Sequence, residues 1–154
     1  MINRSKTRMG MCITALVCIL VFIWGNSALP SSVSGALSSW LRSLLGFTSQ
    51  GSEEAGEGLL RKIAHFCEFA ALGMCLGWLW GMLRCGMFKV AALAVACSAL
   101  SACVDEIIQI FSPGRNPSLK DVGLDTAGAA VGIVLLLIGY TFIKNKNKIW
   151  RNTK

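Results

Sequence analysis

The chain has 154 residues, of which 54% are hydrophobic, and it carries a formal net charge of +7. With a mean hydropathy of +0.59, it falls outside the range of ordinary soluble domains of this length, and its long apolar runs indicate contact with lipid. Most basic residues flank those runs and form no stripe interleaved with aromatics, which argues against nucleic acid as a partner. The seven cysteines show no CxxC or Cys/His ligand spacing, so we expect small buried side chains and no disulfide framework.

The first apolar run, Met9 to Trp24, follows three basic residues and defines an N-terminal region, 1–30. A charged start before an apolar stretch also fits a signal peptide. The residues that follow, Gly25 to Ala28, make a poor small-x-small cleavage site. We therefore favour an uncleaved transmembrane helix, with cleavage as the alternative.

The region 31–58 divides into an amphipathic segment and a polar segment. From Ser32 to Phe47, apolar residues recur on one helical face, and Trp40 lies among them. This pattern predicts an extracytoplasmic helix in the membrane interface. The acidic, glycine-rich stretch from Ser49 to Gly58 is typical of a flexible linker.

Three further apolar runs form a predicted core, 59–143, and a basic cytoplasmic tail, 144–154, follows it. The runs span Ile63 to Leu83, Val90 to Phe111 and Val122 to Ile143, each close to the ~20 residues that cross a bilayer as a helix. Glycines four residues apart predict close helix packing; they are Gly73, Gly77, Gly81, Gly128 and Gly132. The predicted fold is all-α, a polytopic four-transmembrane-helix bundle with an interfacial helix.

Basic residues set the predicted orientation in the cell membrane. With both termini in the cytoplasm, ten basic residues lie inside and five outside, which satisfies the positive-inside rule. The five outer ones are Arg42, Arg61, Lys62, Arg115 and Lys120. All eight acidic residues then lie toward the outer side, and five of them are at helix ends or within spans.

The second span begins with three polar residues on one helical face. Arg61 and His65 are four residues apart, and Glu68 follows three residues later. Glu68 lies roughly 10 Å deeper than Arg61. A carboxylate at that depth normally faces a bundle interior or a wet cavity and has a partner, for which His65 and Arg61 are the nearest candidates.

The third span ends with a second polar group. Asp105 and Gln109 share a face, whereas Glu106 points about 100° away. Glu106 facing water and a simple buried His65–Glu68 pair both remain alternatives, because polar pairs also hold transmembrane helices together.

A short connection leads from the third span to the fourth. Pro113-Gly114 predicts a tight turn that holds Arg115 at the mouth of the bundle. Ser118 with Asp121 fits a capping box, and Asp121 shares a face with Asp125. Asp121 acting only as a cap remains an alternative.

The helix ends thus bring nine candidate ligand-binding residues to one outer region, if the helices pack as neighbours. These are Arg61, His65, Glu68, Asp105, Glu106, Gln109, Arg115, Asp121 and Asp125. His65, Glu68 and Asp105 are also the candidates for catalysis. No cofactor and no dedicated metal site are predicted.

Three segments of the chain resemble the VanZ-like family. They are Arg61-Lys62-x-x-His65-Phe66-x-Glu68 to Gly73, Asp105-Glu106-x-x-Gln109 to Arg115, and Asp121-Val122. The resemblance covers about residues 59–135. The chain departs from the family pattern at three positions. Phe69 stands where Tyr is frequent, Gln109 where His is frequent, and Asp125 where Asn is common. These departures argue against a single proton-transfer residue at 109 or 125.

The resemblance implies a small membrane protein of a family named for resistance to teicoplanin, a glycopeptide with a lipid tail. Three functions follow as hypotheses. The outer site binds membrane lipid-linked ligands, either a peptidoglycan precursor or a lipoglycopeptide. Alternatively, the protein is an enzyme acting on a lipid-linked phosphate or sugar, with His65 as acid or base and a divalent metal as a further option. In the third hypothesis it is a structural accessory subunit.

Overall fold

The structure, a computed structural model, describes residues 4–44, 53–83 and 86–152. It contains five α-helices in these ranges, and they are α1 (Arg4–Ala28), α2 (Ser31–Leu44), α3 (Glu53–Met82), α4 (Met87–Ile110) and α5 (Leu119–Asn152). No strand occurs in the described ranges, which confirms the all-α prediction.

Four of the helices are long and apolar enough to cross a membrane, and the candidate spans are Ser5–Ala28, Gly58–Met82, Met87–Ile110 and Leu119–Lys144. Each contains most of one predicted span and adds residues at its ends. Helices are expected here because lipid offers the backbone no hydrogen-bond partners, so each peptide group must bond within its own segment.

The polar segment between the first two spans differs from the prediction. Helix α3 begins at Glu53, so the last six residues of the predicted flexible linker are helical. Acidic residues stabilise the positive end of the helix dipole, and the sequence has Glu53, Glu54 and Glu57 in the first turns. Residues 45–52 of the predicted interfacial helix and linker lie outside the described residues.

Helices α3 and α5 form the closest pair in the bundle. A Cβ atom added at Gly73 would overlap the carbonyl oxygen of Ala129, and one at Gly132 would overlap that of Ala70. These glycines therefore let the two backbones touch, as the sequence predicted. Gly81 does not take part, since nothing lies within 4 Å of its Cβ position.

The remaining helices pack around this pair. Helix α4 contacts both α3 and α5, α1 packs against α3 and α4, and α2 contacts α3. The buried core residues are Ile23, Phe69, Leu72, Leu76, Ala94, Ala102, Ala129 and Ile133. Large apolar side chains such as Phe22, Leu100 and Ile138 point outward and remain exposed, which is the pattern of a bundle surrounded by lipid.

The connection between α4 and α5 is a compact turn that docks on the α1–α2 connection. Gly114 has a φ of +73°, a conformation that glycine adopts without strain. The Ser31 N–H donates to the Pro113 carbonyl at 3.1 Å, and a Cβ atom at Gly114 would overlap the Ser31 hydroxyl. The predicted Pro-Gly turn is therefore confirmed.

Candidate functional site

Four segments meet at one end of the bundle, which we call the site end. They are the last turn of α1, the first half of α3, the last turns of α4 with its connection to α5, and the first two turns of α5. All nine sequence-predicted site residues lie there. Their binding of a ligand remains a prediction, but the arrangement of their side chains is defined.

His65 of α3 is at the centre of this arrangement. Its side chain is buried, and its Nδ1 lies 3.7 Å from Glu68 Oε2 and 3.9 Å from Asp105 Oδ2. Both distances exceed those of hydrogen bonds. Neither ring nitrogen of His65 has a hydrogen-bond partner among the described residues, so both are free to bind another group.

Glu68 is held by a residue that the sequence analysis missed. Its Oε1 accepts a hydrogen bond from the Asn26 side-chain amide of α1 at 3.3 Å, while its Oε2 has no partner among the described residues. In the sequence, Asn26 lies within Gly25 to Ala28, the poor cleavage site that follows the first apolar run. A polar residue at the end of an apolar span was the signal that could have identified it.

Two aspartates face His65 from neighbouring helices. Asp105 Oδ2 accepts a hydrogen bond from Gln109 Nε2 at 2.9 Å, as expected for residues on one helical face. Asp105 is fully buried, and Asp125 of α5 is 2% exposed. The side chains of His65, Asp105 and Asp125 each offer one ligand atom, and these atoms all lie within 4.8 Å of one another.

Glu106 is buried, so the alternative in which it faces water is wrong. Its Oε2 accepts a hydrogen bond from the Ser118 N–H at 2.7 Å, and the Ser118 hydroxyl accepts one from the Lys120 N–H. Ser118 therefore caps α5. In a capping box the Ser118 N–H would donate to the Asp121 carboxylate, but here it donates to the Glu106 carboxylate instead. The short connection folds the start of α5 onto α4 and makes this possible. Asp121 instead pairs with Lys62 at 3.3 Å.

Arg115 closes the C-terminal end of α1. Its Nε donates to the Leu29 carbonyl at 3.0 Å and its Nη2 to the Asn26 carbonyl at 2.9 Å. Burial lowers the pKa of Arg115, and the nearby Arg61 lowers that pKa further, but a guanidinium stays charged at neutral pH. Only Nη1 lacks a partner in the described structure. Arg115 could therefore bind a ligand through two hydrogen bonds only if it broke one of its bonds to the carbonyls at the end of α1.

Two hollows adjoin these residues. A cavity of about 20 Å³ has room for a single water molecule or small ion; its lining is Arg61, Lys62, His65, Glu106, Gln109, Asp121, Leu124 and Asp125. An open groove of about 860 Å³ runs between α2 and the start of α3; its lining is Ser31, Ser32, Ser34, Gly35, Ala36, Ser39, Gly58, Arg61, Gly114 and Asn116. Arg61 belongs to both, so it joins the groove to the buried cluster.

Four spanning helices around a buried polar cluster define a multi-pass membrane protein. The model of the VanZ/LLP1 family matches residues 12–142, and the chain therefore belongs to this family. The match extends the resemblance seen at residues 59–135 across most of α1 and all of α2. No curated protein and no solved structure matches the chain.

Proposed function

We propose that this VanZ/LLP1-family membrane protein binds the polar headgroup of an amphiphilic molecule in the groove between α2 and α3. The ligand is a lipid-linked cell-wall precursor or a lipoglycopeptide, and binding lowers susceptibility to teicoplanin-type antibiotics. The groove carries this proposal. Its volume of about 860 Å³ lies within the usual range of small-molecule sites, whereas the inner cavity of about 20 Å³ is too small for a headgroup.

The lining of the groove suits a headgroup rich in hydroxyl and phosphate groups. The Ser34 and Ser39 hydroxyls donate to backbone carbonyls of α2 and keep their lone pairs available to accept hydrogen bonds from sugar hydroxyls. Arg61 and the exposed Asn116 add donors at the other edge. A guanidinium binds phosphate or carboxylate through two parallel hydrogen bonds, so Arg61 is the anchor that we assign to the anionic group.

Helix α2 supplies an apolar surface beside the groove. Val33, Trp40 and Leu44 are exposed and lie within about 40° of one another around the helix. Such a face, with a Trp, favours the boundary between headgroups and acyl chains. A ligand could therefore keep its tail in the bilayer while its head enters the groove. The outward orientation of the site end belongs to this proposal and follows from the distribution of basic residues.

The test measures antibiotic susceptibility in a sensitive Gram-positive host that expresses the protein. We expect wild type to raise the inhibitory concentration of teicoplanin several-fold and that of vancomycin little. Arg61→Gln should abolish the protection, because it removes the charged anchor. Lys89→Gln, which changes an exposed basic residue at the opposite end of the bundle, is the control at matched expression.

Absence of protection by wild type would contradict the resistance part of the proposal. Binding would still be measurable directly, by native mass spectrometry of the purified protein with a polyprenyl-pyrophosphate-linked muropeptide. Equal binding by wild type and Arg61→Gln would contradict the assignment of the groove.

One observation favours catalysis as a second candidate function. His65, with two free ring nitrogens beside Glu68 and Asp105, has the surroundings of a general acid or base. Loss of protection in His65→Gln with unchanged ligand binding would favour the enzyme, and parallel loss of both would favour binding alone.

A further inference from the structure

We propose that His65, Asp105 and Asp125 form a binding site for one divalent transition-metal cation, of the Zn²⁺ or Mn²⁺ type. This site is distinct from the groove and does not depend on the headgroup proposal. The sequence alone predicted no dedicated metal site and left a divalent metal as an option for an enzyme, because it does not show how close the three residues lie.

The geometry is that of residues brought together from three separate helices. His65 belongs to α3, Asp105 to α4 and Asp125 to α5, and their ligand atoms all lie within 4.8 Å of one another. Two ligands on a tetrahedral ion at 2.0–2.1 Å are about 3.3 Å apart. The three side chains therefore need to close by an ångström or so to share one ion, which small rotamer adjustments can provide.

The side chains of His65, Asp105 and Asp125 are buried without enough hydrogen-bond partners from the protein. His65 is 7% exposed, Asp105 0% and Asp125 2%. Both nitrogens of His65 and the Oδ1 atoms of Asp105 and Asp125 have no hydrogen-bond partner in the described structure. Buried polar groups of native proteins are normally bonded. Three residues that each have an unpartnered atom, and that each offer one ligand atom within 4.8 Å of the others, therefore indicate a ligand that bonds them together.

The charge of the cluster points to a cation. Among the described residues, no Lys or Arg forms an ion pair with Asp105 or Asp125, and the only basic group within 4 Å of Asp105 is His65. Lys62 pairs with Asp121, and Arg115 binds two backbone carbonyls. Arg61 lines the adjoining cavity but forms no ion pair with either aspartate in the described structure. Buried carboxylates are costly unless they are paired or coordinate a metal.

The size and the donor set restrict the ligand further. The adjoining cavity of about 20 Å³ is lined by His65 and Asp125 but not by Asp105, and Arg61 and Lys62 also line it. Its volume leaves room for about one water beside an ion. One imidazole with two carboxylates suits Zn²⁺ or Mn²⁺, whereas Mg²⁺ and Ca²⁺ prefer oxygen ligands alone. Gln109 donates to Asp105 and would orient that carboxylate from behind, as outer-shell groups do at metal sites.

The experiment uses the full-length protein in lipid nanodiscs. The protein is stripped with chelator and desalted, then equilibrated with Zn²⁺, Mn²⁺, Mg²⁺ or Ca²⁺ separately, and bound metal is measured by elemental analysis. We expect close to one Zn²⁺ or Mn²⁺ ion per chain, and more than tenfold weaker binding of Mg²⁺ and Ca²⁺. In Asp125→Asn and His65→Gln the affinity for the transition metal should fall more than tenfold.

The control is Glu54→Gln, which removes an acid from the first turn of α3 at a distance in sequence from the three ligands. It should bind metal like wild type. Helical content and a monodisperse elution profile show which variants are folded. If Asp125→Asn does not fold, the decision rests on His65→Gln and on the wild-type stoichiometry. No retained Zn²⁺ or Mn²⁺ in wild type, equal retention in the folded ligand variants, or preference for Mg²⁺ or Ca²⁺ would each overturn the proposal.

Discussion

At the scale of single residues, Arg115 joins the connection between α4 and α5 to the end of α1. It bonds two carbonyl oxygens at the end of α1 through Nε and Nη2, where a positive charge also complements the helix dipole. We expect Arg115→Lys to lower stability by about 1–3 kcal/mol, the usual worth of hydrogen bonds to a charged group. A lysine cannot reproduce the forked geometry. Thermal unfolding of the purified protein in detergent measures the effect.

Arg61→Lys is the matched comparison, because no hydrogen bond of Arg61 to another described residue is seen in the structure and its side chain lines the two hollows. It should unfold within a degree or two of wild type. An equal fall in both variants would show that the cap at α1 is not what Arg115 contributes.

The side-chain pairs that the sequence could predict are those within one helix. The Asp105–Gln109 bond and the closeness of His65 to Glu68 follow from helical spacing. The bonds from Asn26 to Glu68 and from Ser118 to Glu106 could not be predicted, because each depends on how two helices pack. Glu106 points about 100° from Asp105 on α4, yet both are buried, because α4 has neighbours on more than one side.

At the scale of helices, the α3–α5 contact depends on glycines that sequence spacing identifies only in part. A methyl group at Gly132 would overlap the Ala70 backbone, whereas nothing lies within 4 Å of the same position at Gly81. We expect Gly132→Ala to destabilise the protein by about 1–3 kcal/mol through overpacking against backbone that has no rotamer to change. Thermal unfolding in detergent is again the measurement.

Gly81→Ala is the control on the same helix pair. It should be neutral or slightly stabilising, since Ala has the higher helix propensity. Destabilisation by Gly81→Ala equal to that by Gly132→Ala would mean that the effect is not one of close packing. The spacing of four residues predicted close helix packing at all five glycines equally. Only the packing of the two helices distinguishes Gly81, near the end of α3, from the other four.

At the scale of the whole molecule, the four spans were predictable because lipid demands long apolar helices. The orientation of the bundle in the membrane is predicted from how the basic residues are distributed between its two ends. In the topology predicted from the sequence, ten of the 15 basic residues fall on the side of both termini, whereas all eight acidic residues fall on the other side. If the positive-inside rule holds, the groove and the polar cluster face outward. There the groove can receive molecules of the outer leaflet without their crossing the bilayer.

This orientation predicts which engineered cysteines can be labelled from outside the cell. In a background without the seven native cysteines, Asn116→Cys places a thiol on the exposed connection between α4 and α5, and Thr153→Cys places one near the C-terminus. A membrane-impermeant maleimide should label Asn116→Cys in intact cells and Thr153→Cys only after permeabilisation. The opposite pattern would place the groove in the cytoplasm, where it could not meet an extracellular lipoglycopeptide. The same result would not contradict the proposed metal site, because that site depends on the contacts among α3, α4 and α5 and not on the direction of insertion.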